Sequence, residues 1–225
     1  ADFSAFAKCF RRGVLFLNYQ EATDYIKNIE RAGSDYGIER MRELLTLLSD
    51  PDDKLKFIHV AGTNGKGSVA TYAACLTQNA GMKTGLFTSP HIIHKEERIR
   101  INGECIPKDK MDALLEKAEG NYFTKLTHAA MEWFTENEVQ CAVLEVGLGG
   151  SKDPTNLYPA DVNVITRIGI DHAEILGDTI EKIATEKCGI IRKGGFVVTQ
   201  EQRRDAMKVI ERTCAKRSAE LHVVT

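Results

Sequence analysis

The sequence predicts an α/β fold in which a mainly parallel β-sheet is flanked by helices, with a small β-hairpin as an excursion. Short apolar runs with strand character alternate along the chain with longer segments of helical period. One such run, at 57–60, leads through a glycine-rich turn directly into a helical segment. The dipeptide Asn102-Gly103, which favours tight hairpins, lies inside an alternating stretch at 97–106.

The individual elements follow from hydrophobic period and from start and stop signals. Asn18 with Glu21 forms a capping-box pattern that begins the first helix, and Asp50-Pro51 ends the second. Helices are predicted at 19–31, 37–49, about 69–80, 108–118, 124–137, 178–191 and 203–217. Strands are predicted at 57–60, 84–87, 141–146, 162–168, 196–199 and 221–224, in addition to the hairpin.

The glycine-rich turn after the first of these strands has the context of a phosphate-binding loop (P-loop). Its glycines let backbone amides approach anionic oxygens, and the helix N-terminus adds partial positive charge. Lys66 brings a full charge, and Ser68 offers a hydroxyl to a phosphate or to phosphate-bound Mg²⁺. The match to the common pattern G-x-x-x-x-G-K-[ST] is imperfect, because Val60 replaces its first glycine and Gly67 follows the lysine. The predicted phosphate-binding residues are Gly62, Thr63, Asn64, Gly65, Lys66, Gly67 and Ser68.

Without supporting motifs, the same loop would be an ordinary strand-to-helix turn with a solvated lysine. Other candidate residues follow predicted strands, where open parallel sheets bind their ligands. Glu145 ends a buried strand, so it either caps the following glycine amides or ligates Mg²⁺. His172 is either a structural residue or a metal ligand, Ser89 alone is a turn residue, and a lysine placed like Lys187 is usually solvated.

Composition and charge narrow the class of protein. The 225 residues are 43% hydrophobic and 28% charged, which is typical of a globular chain with a sizeable core. A net charge of -2 predicts neither a nucleic-acid nor a membrane partner, and no apolar run approaches the roughly 20 residues of a membrane span. Six cysteines without a C-x-x-C pair favour reduced thiols and a cytoplasmic location. Residues 1–17 are predicted to be an extension, whose role stays open, to a domain at 18–225.

Four motifs, each at or after a predicted strand, occur in an order that is far more specific than any one of them. They are 59–68, 88–91 with 97–103, 144–150 continuing to 153–156, and 168–172 with 176–179. Together they resemble the folylpolyglutamate synthase and dihydrofolate synthase family, within the wider Mur ligase group. Gly67 after the lysine is the form that this family uses. The resemblance runs from about Asn18 to the end of the chain and implies the fold of the Mur ligase central domain.

The resemblance implies an ADP-forming ligase that joins L-glutamate to the carboxylate of a folate-type substrate, folate or dihydropteroate. ATP first phosphorylates that carboxylate to an acyl phosphate, which the amine of glutamate then attacks. Lys66 and the loop amides would hold the phosphates, and Ser89, Glu145 and His172 would bind Mg²⁺. Lys187 matches a family lysine that is carbamylated. The implied catalytic residues are Lys66, His172 and Lys187, and the implied acceptor-binding residues are Tyr122, Phe123, Lys152, Asp153 and Pro154.

Departures from the family pattern concern the acceptor and the length. Ser151-Lys152 stands where the family has Arg-Leu before Asp153, and Thr124 replaces an acid after the aromatic pair, so the identity of the acceptor stays open. Family chains are considerably longer, and we expect the C-terminal glutamate ligase domain to be absent from this sequence. We therefore expect no full catalysis by this chain alone, and a missing domain or self-association as its partner. The alternatives are another Mur-type amide ligase and a non-catalytic nucleotide-binding half-domain.

Overall fold

The computed structural model of the protein describes residues 55–118 and 121–224. The strands are β1 Lys56–Ala61, β2 Thr84–Phe87, β3 Ile99–Ile101, β4 Glu104–Cys105, β5 Cys141–Glu145, β6 Val162–Ile165, β7 Phe196–Gln200 and β8 Glu220–Val224. The helices are α1 Lys66–Asn79, α2 Lys108–Lys117, α3 Tyr122–Glu136, α4 Ala173–Leu176, α5 Ile180–Lys187 and α6 Arg204–Arg217. Short 3₁₀ turns lie at Lys95–Arg98, Pro154–Leu157 and Cys188–Ile190.

The described strands form one sheet in the order β4-β3-β2-β5-β1-β6-β7-β8. All neighbouring strands from β2 to β8 in this order pair in parallel, and β3 pairs with β2 and with β4 in antiparallel fashion. The hairpin turns at Asn102-Gly103, both of which have positive φ, as a tight two-residue turn requires. The Asn102 side chain also accepts a hydrogen bond from the amide of Thr84, which fastens the hairpin to β2. The predicted fold class is confirmed.

Alternation along the strands decides which helix covers which face of the sheet. Val60 packs with Ala70 and Ala74 of α1, whereas its neighbour Ala61 belongs to the apolar cluster that includes α5 and α6. The same alternation on β2 sends Leu86 to the α1 face and Phe87 to the ring of Phe123 on α3. Helices therefore cover both faces, as the sequence predicts.

The strand order brings three carboxyl ends together at one edge of the sheet. β5 lies between β1 and β2, and its register places Glu145 beside Val60 and Leu144 beside Phe87. The loop after β1, the end of β5 and the turn after β2 are consequently adjacent. This edge is where ligands bind in open α/β sheets.

Some predicted boundaries differ from the observed ones, and the causes are contacts distant in sequence. The helix predicted at 178–191 ends at Lys187 and continues as a 3₁₀ turn, because Gly189 lies against Ser151 so closely that a Cβ would stand 2.4 Å from the Ser151 Cβ. The strand predicted at 162–168 ends at Ile165, beyond which the backbone turns to the loop after β1. The short helix α4 is not predicted by the sequence.

Three predicted features lie outside the described residues. They are the helices at 19–31 and 37–49 and the extension at 1–17, which stay predictions. Within the ranges that are described, none of the helices has both the length and the apolar character needed to cross a membrane.

Candidate functional site

The glycine-rich loop joins β1 to α1 and leaves a set of backbone amides without a partner in the helix. The first helical hydrogen bond runs from the amide of Val69 to the carbonyl of Gly65, so the amides of Lys66, Gly67 and Ser68 precede it. Gly65 has φ 84°, which a residue with a side chain rarely adopts. These amides and the Lys66 ammonium form a cradle suited to phosphate oxygens.

The shape of this loop is held by the segment that follows β6. The carbonyl of Arg167 accepts hydrogen bonds from the amides of Thr63 and Asn64, at 2.9 and 3.3 Å. The Thr63 hydroxyl lies 3.1 Å from the carbonyl oxygen and 3.0 Å from the amide nitrogen of Gly169. Gly62 passes so close to Thr166 that a Cβ would lie 1.8 Å from its hydroxyl oxygen. The loop is therefore fixed by contacts made across the sheet edge.

Gly67, the residue that departs from the common phosphate-loop pattern, lies against the carboxylate of Glu145. A Cβ at this position would stand 3.2 Å from Oε2 and 3.6 Å from Oε1 of Glu145. A larger residue would push the acid away from the first turn of α1. The extra glycine thus lets the carboxylate approach the phosphate cradle.

Glu145 is 4% exposed at the end of β5 and receives a hydrogen bond from the amide of Ser89 at 3.0 Å. Burial raises the pKa of this carboxyl, while the Ser89 amide and the charges of Lys66 and Arg98 act in the opposite direction. Two of the three predicted metal ligands, Ser89 and Glu145, are thus brought together beside the phosphate cradle. Their oxygen atoms are of the kind that Mg²⁺ prefers.

The third predicted ligand, His172, is not brought into contact with these two. It caps the short helix α4 in a left-handed conformation with φ 48°, and its half-exposed ring lies 3.7 Å from the Asp171 carboxylate. Across residues 55–118 and 121–224, no group of three or more His, Cys, Asp or Glu side chains forms a metal-binding cluster. The metal role of His172 stays a prediction.

Lys187 is buried, in contrast to the usual position of a lysine near a helix end. It is 3% exposed, and its ammonium donates a 2.8 Å hydrogen bond to the carbonyl of Gly62. Burial, and secondarily the charge of Lys66, lower its pKa to about 8, against the opposing influence of Asp171 and Asp153. The side chain therefore joins the end of α5 to the phosphate-binding loop.

The predicted acceptor-binding residues separate into exposed and buried positions. Tyr122 is 52% exposed and Lys152 is exposed, whereas Phe123 packs on Phe87 with ring centroids 5.6 Å apart. A Cβ on Gly147 would lie 2.5 Å from the Phe123 ring, so this glycine makes room for the aromatic side chain. Pro154 is half-buried at the start of a 3₁₀ turn.

Asp153 is directed into the protein and is engaged by backbone groups. It is 4% exposed and accepts hydrogen bonds from the amides of Gly147, Leu148 and Thr155 at 2.9–3.0 Å, as well as from the Thr155 hydroxyl. Burial raises the pKa of this carboxyl, and these hydrogen bonds oppose the rise. Asp153, not Glu145, caps the amides of the glycine-rich turn after β5. Its predicted contact with the acceptor is not tested by these bonds and stays a prediction.

A cleft of about 720 Å³ opens over this edge of the sheet. It holds the phosphate cradle, both adjacent metal-ligand candidates and a group of residues that sequence reasoning did not select. The cleft is lined by Thr63, Asn64, Gly65, Lys66, Gly67, Ser68, Thr71, Tyr72, Thr88, Ser89, Pro90, His91, Ile92, Glu97, Arg100 and Glu145. The predicted residues Tyr122, Phe123, Lys152, Asp153, Pro154, His172 and Lys187 are not part of this lining.

His91 and Ile92 of the cleft lining belong to a segment, residues 91–94, that a single carboxylate holds in shape and that we call the rim. Glu97 accepts hydrogen bonds from the amides of Ile92, Ile93 and His94 at 2.8–3.0 Å. These amides, and to a smaller extent the charge of Arg100, lower the pKa of the Glu97 carboxyl to about 2. Ile92 and Ile93 are 91% and 73% exposed. The sequence signal for this rim is Glu97, which lies in the motif 97–103 that contributes to the family resemblance.

Comparison with known proteins places these residues in a family. The profile of the Mur ligase middle domain matches residues 60–220. The dihydrofolate synthase/folylpolyglutamate synthase of Bacillus subtilis is 38% identical over 219 residues, which make up 91% of this chain and 51% of that protein. The folylpolyglutamate synthase of Arabidopsis thaliana is 41% identical over 202 residues, or 83% of this chain and 35% of that protein.

Solved structures show the same relationship. The folylpolyglutamate synthase of Mycobacterium tuberculosis, complexed with ADP and AMPPCP, superposes with a TM-score of 0.74 at 32% identity, covering 92% of this chain and 50% of that one. The apo form of the L. casei enzyme gives a TM-score of 0.72 at 33% identity and covers 92% and 54%. The chain therefore spans about half the length of these two structures and of the B. subtilis relative. Its matched region carries the phosphate-binding loop, Ser89 and Glu145, and the chain belongs to the Mur ligase middle-domain family.

Proposed function

We propose that this chain carries the ATP-phosphate and Mg²⁺ site of an ADP-forming ligase that joins L-glutamate to the carboxylate of a folate-type acceptor, either folate or dihydropteroate. The observation that carries the proposal is the contact of Gly67 with the Glu145 carboxylate, which the Ser89 amide also holds. Because the Glu145 carboxylate lies beside the first turn of α1, this contact supports its proposed role as an oxygen ligand of a cation that also binds the phosphates. Relatives named folylpolyglutamate or dihydrofolate synthase, at 38–41% identity, support the choice of reaction.

The chemistry assigned to the site is the activation of a carboxylate. A carboxylate resists attack by an amine because oxide is a poor leaving group, and transfer of the γ-phosphoryl group of ATP removes this obstacle. The amine of glutamate then displaces phosphate and forms the amide, with ADP and phosphate as the other products. The protein contributes mainly by positioning the reactants and neutralising charge.

Different residues of the chain are proposed to bind the phosphates and the Mg²⁺ ion. The amides of Lys66, Gly67 and Ser68 and the Lys66 ammonium bind the phosphate oxygens. Ser89 and Glu145 would hold Mg²⁺, with His172 as a third ligand once nucleotide is present. The cation, when bound, would supply positive charge that neutralises the phosphates during transfer.

Lys187 has the properties that carbamylation requires. Only the neutral amine adds CO₂, and a pKa of about 8 leaves a substantial neutral fraction near pH 8, where an ordinary lysine is almost wholly protonated. The carbamate would convert a buried cation beside Gly62 into an anionic group. We propose this modification as the reason why a lysine is buried at the loop.

The acceptor is proposed to lie on the side of the site where α3 begins. Tyr122 offers an exposed ring at the N-terminus of α3, and Phe123 fixes that turn through Phe87 and Gly147. Lys152 and Pro154 would contact the acceptor from the turn after β5. Asp153 would act there by shaping the turn through the backbone amides that it holds.

Since the chain spans about half the length of its relatives, we propose that the glutamate-binding part of the reaction depends on the remaining length of such proteins or on association of copies. The proposed partners are otherwise small molecules, and the proposed location is the cytoplasm. We propose, in contrast, that the phosphate-binding and Mg²⁺-binding residues named above, which lie within the matched region, are enough for this chain to bind nucleotide.

The test is Mg²⁺-dependent ATP binding, measured by isothermal titration calorimetry. We expect binding by the unmodified chain, loss of at least about tenfold in affinity for Lys66→Ala, and loss of the Mg²⁺ dependence for Glu145→Ala. Lys193→Ala and Glu211→Ala, at exposed positions outside the cleft, are the matched controls and should bind normally. An unmodified chain that binds no nucleotide, or variants that bind as well as it does, would contradict the proposal.

A further inference from the structure

Arg100 is directed into the same cleft as the phosphate-binding loop, at its opposite end. It occupies the middle of β3, where it pairs with Leu86 of β2. Directly paired residues on antiparallel strands project to the same face of the sheet, and Leu86 packs into the α1 cluster. Arg100 therefore shares the α1 face with the cleft, whose lining it forms together with Tyr72 and Ile92.

The guanidinium group of Arg100 has a buried donor without an acceptor. Its Nε is shielded from solvent and makes no hydrogen bond, and no carboxylate among the described residues forms a salt bridge with it. Glu97, three residues earlier, uses both carboxylate oxygens on the amides of the rim. Buried donors are nearly always satisfied in folded proteins, so an arginine that faces a cleft with an unsatisfied Nε indicates a ligand.

Arg98 provides a direct comparison within the same short segment. Its Nε donates to Nδ1 of His91 at 2.9 Å, and its guanidinium lies 5.9 Å from the centroid of the Tyr122 ring. Arg98 thus has a hydrogen-bond partner and a ring partner in the protein, whereas Arg100 has, among the described residues, only the charge of Glu97 nearby, and both oxygens of that carboxylate are engaged by the rim amides. The difference assigns the ligand-binding role to the second arginine and not to the pair as a whole.

We infer that Arg100 is an acceptor-binding residue, which receives a carboxylate of the acceptor at the end of the cleft remote from the phosphate-binding loop. The inference rests on the proposed function, since it takes the cleft to be the site of a carboxylate ligase. A guanidinium can bind a carboxylate through two parallel hydrogen bonds, and the Nε edge is one of its two binding edges. Folate carries two carboxylates at the end to which glutamate is added, and the one assigned to Arg100 is the carboxylate that is not activated by ATP.

The location favours the acceptor over the nucleotide as the source of this anion. β5 and β2 lie between β1 and β3, so three strand spacings, or roughly 14 Å, separate the phosphate-binding strand from the strand of Arg100. Phosphates held on the amides of 66–68 are bound at the other end of the cleft. The apolar surfaces of Tyr72 and Ile92 lie on the same lining and suit the uncharged part of an aromatic carboxylate.

Calorimetric titration with two ligands shows whether the anion bound by Arg100 belongs to the acceptor or to the nucleotide. The first ligand is a non-hydrolysable ATP analogue, titrated in the presence of Mg²⁺. The second ligand is folic acid, added to protein that is saturated with that analogue. The proteins are the unmodified chain, Arg100→Gln, Arg100→Lys and the control Arg204→Gln, which changes an exposed arginine on α6. Thermal unfolding of each variant shows whether it is folded.

We expect Arg100→Gln to lower the affinity for folic acid by about tenfold or more, which is the effect of losing one charge-assisted hydrogen bond. Its affinity for the nucleotide should stay within about twofold of that of the unmodified chain. Arg100→Lys should lose less because it keeps the charge, and Arg204→Gln should lose nothing. The melting temperature of Arg100→Gln should fall only slightly, because the variant loses the charge interaction with exposed Glu97 but no hydrogen bond made by Nε.

Three outcomes would overturn the inference. Equal folic acid affinity in Arg100→Gln would remove Arg100 from the acceptor site, and parallel loss of nucleotide affinity would assign it to phosphate binding. Nucleotide binding without any folic acid binding by the unmodified chain would place the acceptor elsewhere while leaving the proposed nucleotide site intact. Absence of nucleotide binding by the unmodified chain would instead refute the proposed function itself.

Discussion

The ammonium group of Lys187 donates a 2.8 Å hydrogen bond to the carbonyl oxygen of Gly62, 125 positions earlier in the chain. This bond connects the end of α5 to the first residue of the phosphate-binding loop. Because the amine is buried and its pKa is lowered to about 8, the protonation state of the bond changes within an accessible pH range. The conformation of the phosphate-binding loop is consequently linked to the protonation state of the Lys187 amine.

The first prediction concerns the pH dependence of stability. The pKa of Lys187 is about 8 in the folded chain and 10.5 in the unfolded one, so above pH 8 the unfolded state binds more protons at this site. The free energy of unfolding should therefore rise between about pH 8 and pH 10.5, by at most about 3 kcal/mol. Urea unfolding at several pH values measures this slope.

Lys187→Met provides the reference for that experiment, because it keeps a side chain of similar length and removes the titrating amine. Subtracting its pH profile cancels the contribution of groups such as Cys188, whose pKa burial raises to about 12. A difference profile that is flat from pH 8 to pH 10 would show that the Lys187 amine is not perturbed as described.

The second prediction concerns Gly67. An alanine at this position in the first turn of α1 would favour the helix by up to about 1 kcal/mol, but its Cβ would stand 3.2 Å from the Glu145 carboxylate. We expect Gly67→Ala to keep or gain stability and to lose about tenfold in Mg²⁺-dependent ATP affinity. Calorimetry and thermal unfolding measure the two effects separately.

A double-mutant cycle tests whether the effect acts through the acid. In a Glu145→Ala background, the alanine at position 67 has no carboxylate to displace, so we expect little further loss of affinity. Additive losses in the double variant would mean that the methyl group disturbs the phosphates directly and not the Glu145 side chain.

The third prediction concerns Asp153. Its carboxylate accepts three backbone amides and one hydroxyl, and an asparagine would turn an NH₂ group toward some of these donors. We expect Asp153→Asn to reduce the free energy of unfolding by about 2–4 kcal/mol. The neighbouring exposed Lys152→Ala should change it by less than about 0.5 kcal/mol. Equal stability of the two variants in urea unfolding would contradict the buried arrangement.

The fourth prediction concerns the contact of Gly147 with Phe123. A Cβ on Gly147 would lie 2.5 Å from the ring, so Gly147→Ala must displace Phe123 from its place on Phe87. We expect weaker folic acid binding with unchanged nucleotide affinity, because Phe123 is not part of the lining of the cleft that holds the phosphate-binding loop. A second change, Phe123→Leu, should restore part of the loss by making room for the methyl group. No rescue in the double variant would assign the loss to the backbone of the turn.

Much of the fold could be predicted from the sequence because its signals are local. Apolar runs and intervening helical periods located the strands from β1 to β8, and Asn102-Gly103 located the hairpin turn. The rule that ligands bind at the carboxyl ends of parallel strands predicted that Ser89 and Glu145 lie near the phosphate-binding loop. The hydrogen bond between the Ser89 amide and the Glu145 carboxylate confirms that the ends of β2 and β5 are adjacent.

Other features depend on partners far away in the chain and left no local signal. Lys187 has the sequence context of a solvated lysine, and only the packing of α5 against the loop buries it. The early end of α5 follows from the close approach of Gly189 to Ser151. Arg100 could not be told apart from Arg98 without knowing that His91 satisfies one of them.

The rim of the cleft is pre-ordered before any ligand arrives. One carboxylate, that of Glu97, fixes three consecutive amides, and its pKa of about 2 keeps that arrangement ionised throughout the physiological range. The backbone that carries the two isoleucines is therefore already fixed, so a ligand that contacts Ile92 in the cleft lining causes little additional loss of chain entropy. Discrimination between acceptors at this rim should consequently depend on shape and on dehydration of the isoleucine side chains, with binding rates limited by encounter and not by loop ordering.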